Sequence, residues 1–163
     1  MRFFTSDEHF YHANMLKYAS RPFKNLTEMH KELIRRHNSV VTEADTVYHI
    51  GDFGFFPHSD QIGSVLRQLN GTHVLILGNH CEYNPFVYER HGFRGVHTVL
   101  ELDNGWILVH DPSKACTKRD RQFITGHLHS LPEARRSMNF FDVGVDGNNY
   151  YPYSQSDLNF LLT

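Results

Sequence analysis

The sequence predicts an α/β sandwich, with two facing sheets as one way to build it. Three observations carry that expectation. Through the first half, short β-branched or aromatic runs alternate with longer runs of helical period, the pattern of parallel strands covered by helices. In the second half strand-like runs follow one another at shorter spacing, which predicts partly antiparallel pairing. No repeat, low-complexity tract or Pro/Gly/Ser-rich linker interrupts the 163 residues, so residues 1–163 read as a single domain.

The elements follow in chain order. Arg2–Ser6 reads as a first strand. Asn25–Val41 reads as a helix, with Asn25 or Thr27 able to cap it and Met29, Leu33, Ile34 and Val40 near the 3.6 period. Thr46–Ile50 is a second strand, Ser59–Leu69 a helix with Ile62, Val65, Leu66 and Leu69 on one face, and His73–Leu77 a third strand. Trp106–Val109 and Gln122–Thr125 are two more strands, with a hairpin around Asp103–Gly105. Strand-like patches lie near Met138–Val145, and Ser156–Leu162 is a short amphipathic run.

Composition narrows the function classes. With 40% hydrophobic and 21% charged residues the chain is of globular type. A formal charge of −2 speaks against a strongly basic nucleic-acid binder, yet leaves a nuclease open because an active-site metal can supply positive charge. No apolar stretch approaches the length of a membrane span, and the first residues, Met-Arg-Phe-Phe-Thr-Ser-Asp, lack an apolar signal core, so a cytoplasmic protein without a membrane partner is expected. Cys81 and Cys116 read as free thiols. Histidine is over-represented, at 13 residues.

The histidines become informative through their positions. The five apolar runs are followed by Asp7-Glu8-His9, Gly51-Asp52, Gly78-Asn79-His80, His110-Asp111 and Gly126-His127-Leu128-His129. Ligand sites of open α/β sheets lie beyond the carboxyl ends of strands, so five strand ends would bring about seven metal-capable side chains to one edge. Each group alone also fits a turn or a satisfied histidine. Carboxylate, imidazole and amide oxygen suit Mn, Fe, Zn, Ni or Co, and without a cysteine cluster a structural zinc site is not indicated. Seven donors exceed one tetrahedral site and suit two ions sharing a carboxylate, the usual device for displacement at phosphorus.

In this order and spacing, Asp7-x-His9, Gly51-Asp52, Gly78-Asn79-His80, His110 and Gly126-His127-x-His129 resemble the calcineurin-like metallophosphoesterase superfamily. The likeness runs from Phe4 to about Ser154, and Asp142-Val143-Gly144-Val145-Asp146 with Tyr150-Tyr151-Pro152 resembles its small bacterial and phage members. The resemblance implies a four-layer αββα sandwich of two mixed β-sheets flanked by helices. It implies two divalent ions, manganese foremost, with Asp7, His9 and His129 on the first, Asn79, His110 and His127 on the second, and Asp52 bridging. It implies hydrolysis of a phosphodiester, or a phosphomonoester, by a metal-bridging hydroxide, with His80 as general acid. The expected partner is a small phosphoester or nucleotide. The other readings are a non-catalytic metal-binding scaffold of this fold and a nuclease acting on nucleic acid.

Cys81 stands where the family usually has the Asp that orients the acid histidine; it reads either as a small apolar residue or as a functional thiol. His12, in the long segment between Asp7 and Leu26, is a candidate pocket or substrate residue, and His49 reads as a satisfied buried histidine. Lys114–Arg121, including Arg119, is a candidate phosphate contact or else a solvated loop. Phe53, Phe55 and Phe56 could form a wall on which a base stacks, or belong to the core.

Overall fold

The structure is a computed structural model that describes residues 1–114, 120–129 and 139–162. Nine strands form two sheets. The first sheet holds β1 (Arg2–Thr5), β2 (Thr46–Ile50), β3 (Thr72–Ile76), β4 (Gly95–His97) and β9 (Tyr153–Ser154), in the order β4-β3-β2-β1-β9. The second holds β5 (Val99–Glu101), β6 (Ile107–Val109), β7 (Phe123–Thr125) and β8 (Phe140–Asp142), in that order. The helices are α1 (Met15–Tyr18), α2 (Leu26–Val40), α3 (Asp60–Leu66), α4 (Pro85–Arg90) and α5 (Gln155–Leu162).

β1 to β4 pair in parallel and in chain order, each crossover stepping the same way across the sheet. Right-handed crossovers taken in one direction put every crossover helix on the same face. Met29 and Leu33 of α2, Ile62, Val65 and Leu66 of α3, and Tyr88 of α4 accordingly pack there with Leu75 of β3. Strand alternation sends Phe4, Tyr48, Ile50 and Ile76 to the opposite face, where they meet Leu108, Ile124 and Phe141 of the second sheet. The chain is thus an α/β sandwich of two mixed sheets flanked by helices. On the outer face of the second sheet Ile107, Val109, Phe123 and Phe140 form a small apolar cluster that holds no helical residue among those described.

The expected strands and helices are found close to their expected bounds. Asn25, not Thr27, caps α2: its side chain accepts from the Glu28 amide at 2.9 Å while Glu28 reaches back to the Lys24 amide at 2.7 Å. α3 stops at Leu66, short of Leu69, because the next residues turn with tighter bonds, Gln68 to Val65 and Leu69 to Leu66. The second sheet departs from expectation in part. β5 and β6 form the antiparallel hairpin over Asp103–Gly105, but β6, β7 and β8 run parallel. α1, α4, β4 and β9 are unheralded: the strands among them are two or three residues long and β4 is half-exposed, so little periodicity marks them.

Candidate metal centre

The polar segments after β1, β2, β3, β6 and β7 converge where the two sheets meet. The loops after β1 and β2 run side by side, with the Asp7 amide bonded to the Gly51 carbonyl at 3.1 Å and the His9 amide to the Asp52 carbonyl at 3.0 Å. Ser6 pairs with Gly144 across the gap between the sheets. Two glycines are demanded by close approach. A Cβ on Gly78 would lie 2.1 Å from Asp52 Oδ1, and one on Gly126 would lie 1.9 Å from Ser6 Oγ and 2.8 Å from Asp7 Oδ2.

All seven expected donors come together. Asp7, His9 and His129 present ligand atoms to one point, with His9 Nε2 3.9 Å and His129 Nε2 4.0 Å from Asp7 Oδ1. Asn79 Oδ1 lies 3.0 Å from both His110 Nε2 and His127 Nδ1. Asp52 stands between, its Oδ2 3.8 Å from His9 Nε2 and 3.4 Å from His110 Nε2. Asp7 is placed more centrally than the sequence suggests, since it also groups with Asp52 and His110.

Two observations mark this as a site rather than a polar patch. Asp7 Oδ1 and His9 Nε2 are buried without a hydrogen-bond partner, a costly state that a cation between them would relieve. Five of the seven donors, Asp7, His9, Asp52, His127 and His129, sit at positive φ between 47° and 78°, a conformation that costs a side-chain-bearing residue energy and gathers at functional sites. The donor set, two carboxylates, four imidazoles and one amide oxygen, fits borderline divalent ions.

The ring tautomers fit the same purpose. His110 Nδ1 donates to the Ile50 carbonyl at 2.8 Å, which turns Nε2 toward Asp52 and Asn79. His129 Nδ1 faces Asp146 Oδ2 at 3.4 Å, which turns Nε2 toward Asp7. Burial works to lower the pKa of His110, but its bond to Asp52, the charges of Asp7 and Asp52 and the Ile50 carbonyl outweigh that and raise it to about 9. Burial also opposes charge on Asp52, yet His110 beside it holds the carboxyl below its usual range. Burial raises the pKa of Asp7 and lowers that of His9. Carboxylates arranged so that they favour a proton on a neighbouring ring favour a metal ion in the same place.

Sequence reasoning assigned no role to three residues around the centre. Arg21, whose side chain is wholly buried, donates to the carbonyls of Asp7 and Glu8 at 2.6 and 2.8 Å and pairs with Asp146. Asp146 in turn faces His129. The Asp-Val-Gly-Val-Asp run was a signal for Asp146; nothing local distinguishes Arg21 from its basic neighbours Lys17 and Lys24. Asp142 accepts from the Leu128 amide at 3.0 Å and so fixes the turn that carries His127 and His129.

The remaining candidates sort as follows. His80 is exposed; its amide donates to Asp52 Oδ1 at 2.9 Å, and its ring lies 5.7 Å from that of His9. Among the described residues no carboxylate is hydrogen-bonded or ion-paired to the His80 ring. Cys81 packs against the helical-side core and its sulfur accepts from the Gly78 amide at 3.2 Å, while burial pushes the thiol pKa up. That is the environment of an apolar structural residue. His12 lies at the site, its Nδ1 3.3 Å from His9 Nδ1. Phe53 and Phe56 belong to the core and form no wall; Phe55 is exposed and stacks on His12. Lys114 ends the short 3-10 turn after β6, on the outer side of the second sheet. Arg119 and Cys116 lie outside the described residues.

His49 is buried and satisfied as expected, within a chain that the sequence did not suggest. Glu8 Oε1 lies 2.6 Å from His49 Nδ1, His49 Nε2 lies 3.0 Å from His73 Nδ1, and His73 Nε2 lies 3.2 Å from the Leu69 carbonyl. The carbonyl can only accept, so each group donates to the next and Glu8 enters as the neutral acid. Burial agrees, raising Glu8 to about 7 and lowering His49 and His73 to about 3.

Comparison with known proteins places the chain among relatives. No family model matches it. It is 35% identical over 161 aligned positions to an uncharacterized protein of Methanocaldococcus jannaschii, an alignment that covers 91% of this chain and 84% of that protein. The crystal structure of a protein of unknown function from Aquifex aeolicus superposes with a TM-score of 0.74 over 99% of this chain and 98% of that one, at 23% identity, a likeness of fold. Among the described residues no helix is long and apolar enough to cross a membrane.

Proposed function

The chain belongs to the family of the uncharacterized Methanocaldococcus jannaschii protein, and from its own site we propose that it is a hydrolase of the calcineurin-like metallophosphoesterase superfamily that cleaves a phosphodiester with two divalent ions. The observation that carries this reading is the paired donor groups sharing Asp52, with Asp7 Oδ1 and His9 Nε2 buried and unpartnered at their centre. Asp7, His9 and His129 would hold one ion, Asn79, His110 and His127 the other, with Asp52 between. Manganese is the first ion to test; Fe, Zn, Ni and Co suit the same donors. Such ions supply Lewis acidity toward the phosphoryl oxygens and make water nucleophilic near neutral pH.

The chain's residues do the rest. Asn79, His80 and His127 are exposed, so among the described residues the centre opens on solvent at the sheet edge. His80, its main chain anchored to Asp52, would give a proton from its ring to the departing oxygen. Among the described residues no carboxylate partners its ring, which suits alcohols that leave readily. Among the described residues no lysine or arginine lines the cleft beside His80. A singly charged diester fits that surface better than a doubly charged monoester.

The test is hydrolysis of bis-p-nitrophenyl phosphate by manganese-loaded protein, with Asp52→Asn as control. The reading expects manganese-dependent turnover by wild type and a loss of at least about 100-fold in the variant. Protein that binds manganese yet cleaves neither diesters nor monoesters is instead a metal-binding scaffold, and the enzyme reading fails.

A further inference from the structure

We propose that the cleft beside the candidate centre seats an uncharged planar ring of the substrate, a nucleobase being the biological group of that chemistry. This rests on the phosphoesterase reading, which puts the phosphate over Asp52. The cleft has a volume of about 370 Å³, at the small end of ligand pockets, room for a nucleoside and not for a folded partner. Met15, Tyr18 and Leu128 give it an apolar and aromatic side, and His80 and His129 open its other side onto the centre.

The walls suit a flat, uncharged occupant. The His12 ring stacks on Phe55 at 5.5 Å with 29° between planes, and Tyr18 meets His12 edge-on at 6.5 Å and 83°. Tyr18 is 75% exposed, a large aromatic left uncovered at the mouth of the cleft. Among the described residues no lysine or arginine lines the cleft, so a second phosphate or a carboxylate finds no counter-charge there. A base needs none, because every base offers a π-face to an aromatic side chain. The stacking surface is therefore Tyr18 with its apolar neighbours and not Phe53 or Phe56, which are buried in the core.

The test is a binding measurement that needs no turnover. Calorimetry on manganese-loaded protein compares AMP with ribose 5-phosphate, two ligands that share the sugar phosphate and differ by the base. AMP should bind roughly tenfold tighter, the ratio that about 1.4 kcal/mol of stacking provides. Tyr18→Ala or Leu128→Ala should narrow that ratio to about threefold or less. Tyr18 is so exposed that its loss leaves the core intact, and circular dichroism verifies the Leu128 variant. Equal affinities in the wild type, or an AMP preference that survives both substitutions, overturns the proposal.

Two sources of a base separate in a further arm. A 5′-phosphorylated tetranucleotide that binds tighter than AMP with a steep salt dependence assigns the cleft to a strand end, and equal binding assigns it to a mononucleotide. Protein that prefers AMP but hydrolyses no phosphoester would leave the base site standing and remove the enzyme reading. Protein that turns over diesters but ignores the base would do the reverse.

Discussion

The guanidinium of Arg21 and the carboxylate of Asp146, 125 residues apart, meet in a two-point pair, Nε to Oδ1 at 2.8 Å and Nη2 to Oδ2 at 2.9 Å. Asp146 faces His129 with the same Oδ2, so one carboxylate couples a buried cation to a candidate ligand. In Asp146→Asn the amide oxygen can accept from the ring or from the guanidinium but not serve both as a charge. The variant should stay folded and bind manganese about 10–100-fold more weakly by calorimetry, the usual effect of removing a ligand's outer partner. An unchanged affinity would show that His129 orients itself.

Arg21 carries a heavier structural duty. It also holds the carbonyls of Asp7 and Glu8, the stretch whose backbone turns left-handed at Asp7. Arg21→Ala leaves the Asp146 carboxylate and both carbonyls without their donor. A loss of about 3–5 kcal/mol in urea unfolding is expected. Arg21→Lys should recover only part of it, because an ammonium cannot reproduce the planar fork.

Gly78 is a sensitive backbone position of the site. Its missing Cβ leaves the space that Asp52 Oδ1 occupies, 2.1 Å from where the Cβ would be. Gly78→Ala should displace the Asp52 carboxylate and abolish manganese binding. Gly105→Ala serves as control, since nothing lies within 4 Å of its Cβ position, and although its positive φ will cost some stability, manganese binding should persist. Retained binding in Gly78→Ala would mean that Asp52 does not hold the ion.

Buried histidines predict an acid limit to stability. Burial lowers His30 and His37 to about 4 and His73 to about 3, and the Nε2 of His30 accepts the Tyr11 amide at 2.8 Å, which requires it unprotonated. The unfolded chain takes up protons on these rings near pH 6.5, before the folded chain does, so their contribution to stability rises with pH from about 4 to 6.5; Glu8, raised to about 7, offsets part of that rise, and His110, raised to about 9, makes stability decline again above pH 6.5. His37 and His73, the most buried of the three, each account for on the order of 2–3 kcal/mol across that window. Urea midpoints measured in EDTA should fall between pH 6.5 and 5, and His37→Asn should flatten the slope. A midpoint that does not move across that range would contradict the assignment.

The sequence made the site more legible than the fold around it. Asp7, His9, Asp52, Asn79, His110, His127 and His129 could be named because each directly follows an apolar run, and the carboxyl ends of strands share an edge. What escaped was long-range in origin. Arg21 looks like any loop arginine until the chain brings Asp146 to it. His49 and His73 lie on the same face of neighbouring strands as a diagonal pair, and their pairing needs the β2–β3 register, His49 beside Leu75 and Val47 beside His73. Tyr18 is set by a four-residue helix too short to leave a period. The parallel run of β6, β7 and β8 was missed because the connections between them gave no helical pattern to read.

The two donor groups have one more property in common. Each draws from both sheets: Asp7 and His9 follow β1 while His129 follows β7, and Asn79 follows β3 while His110 and His127 follow β6 and β7. An ion in either group would therefore rivet one sheet to the other at the rim, opposing any sliding shear that the greasy interface between them would permit. Stripping the ions would be felt as slackening of the whole sandwich, visible as faster amide exchange in β6 and β7 even where no ligand resides.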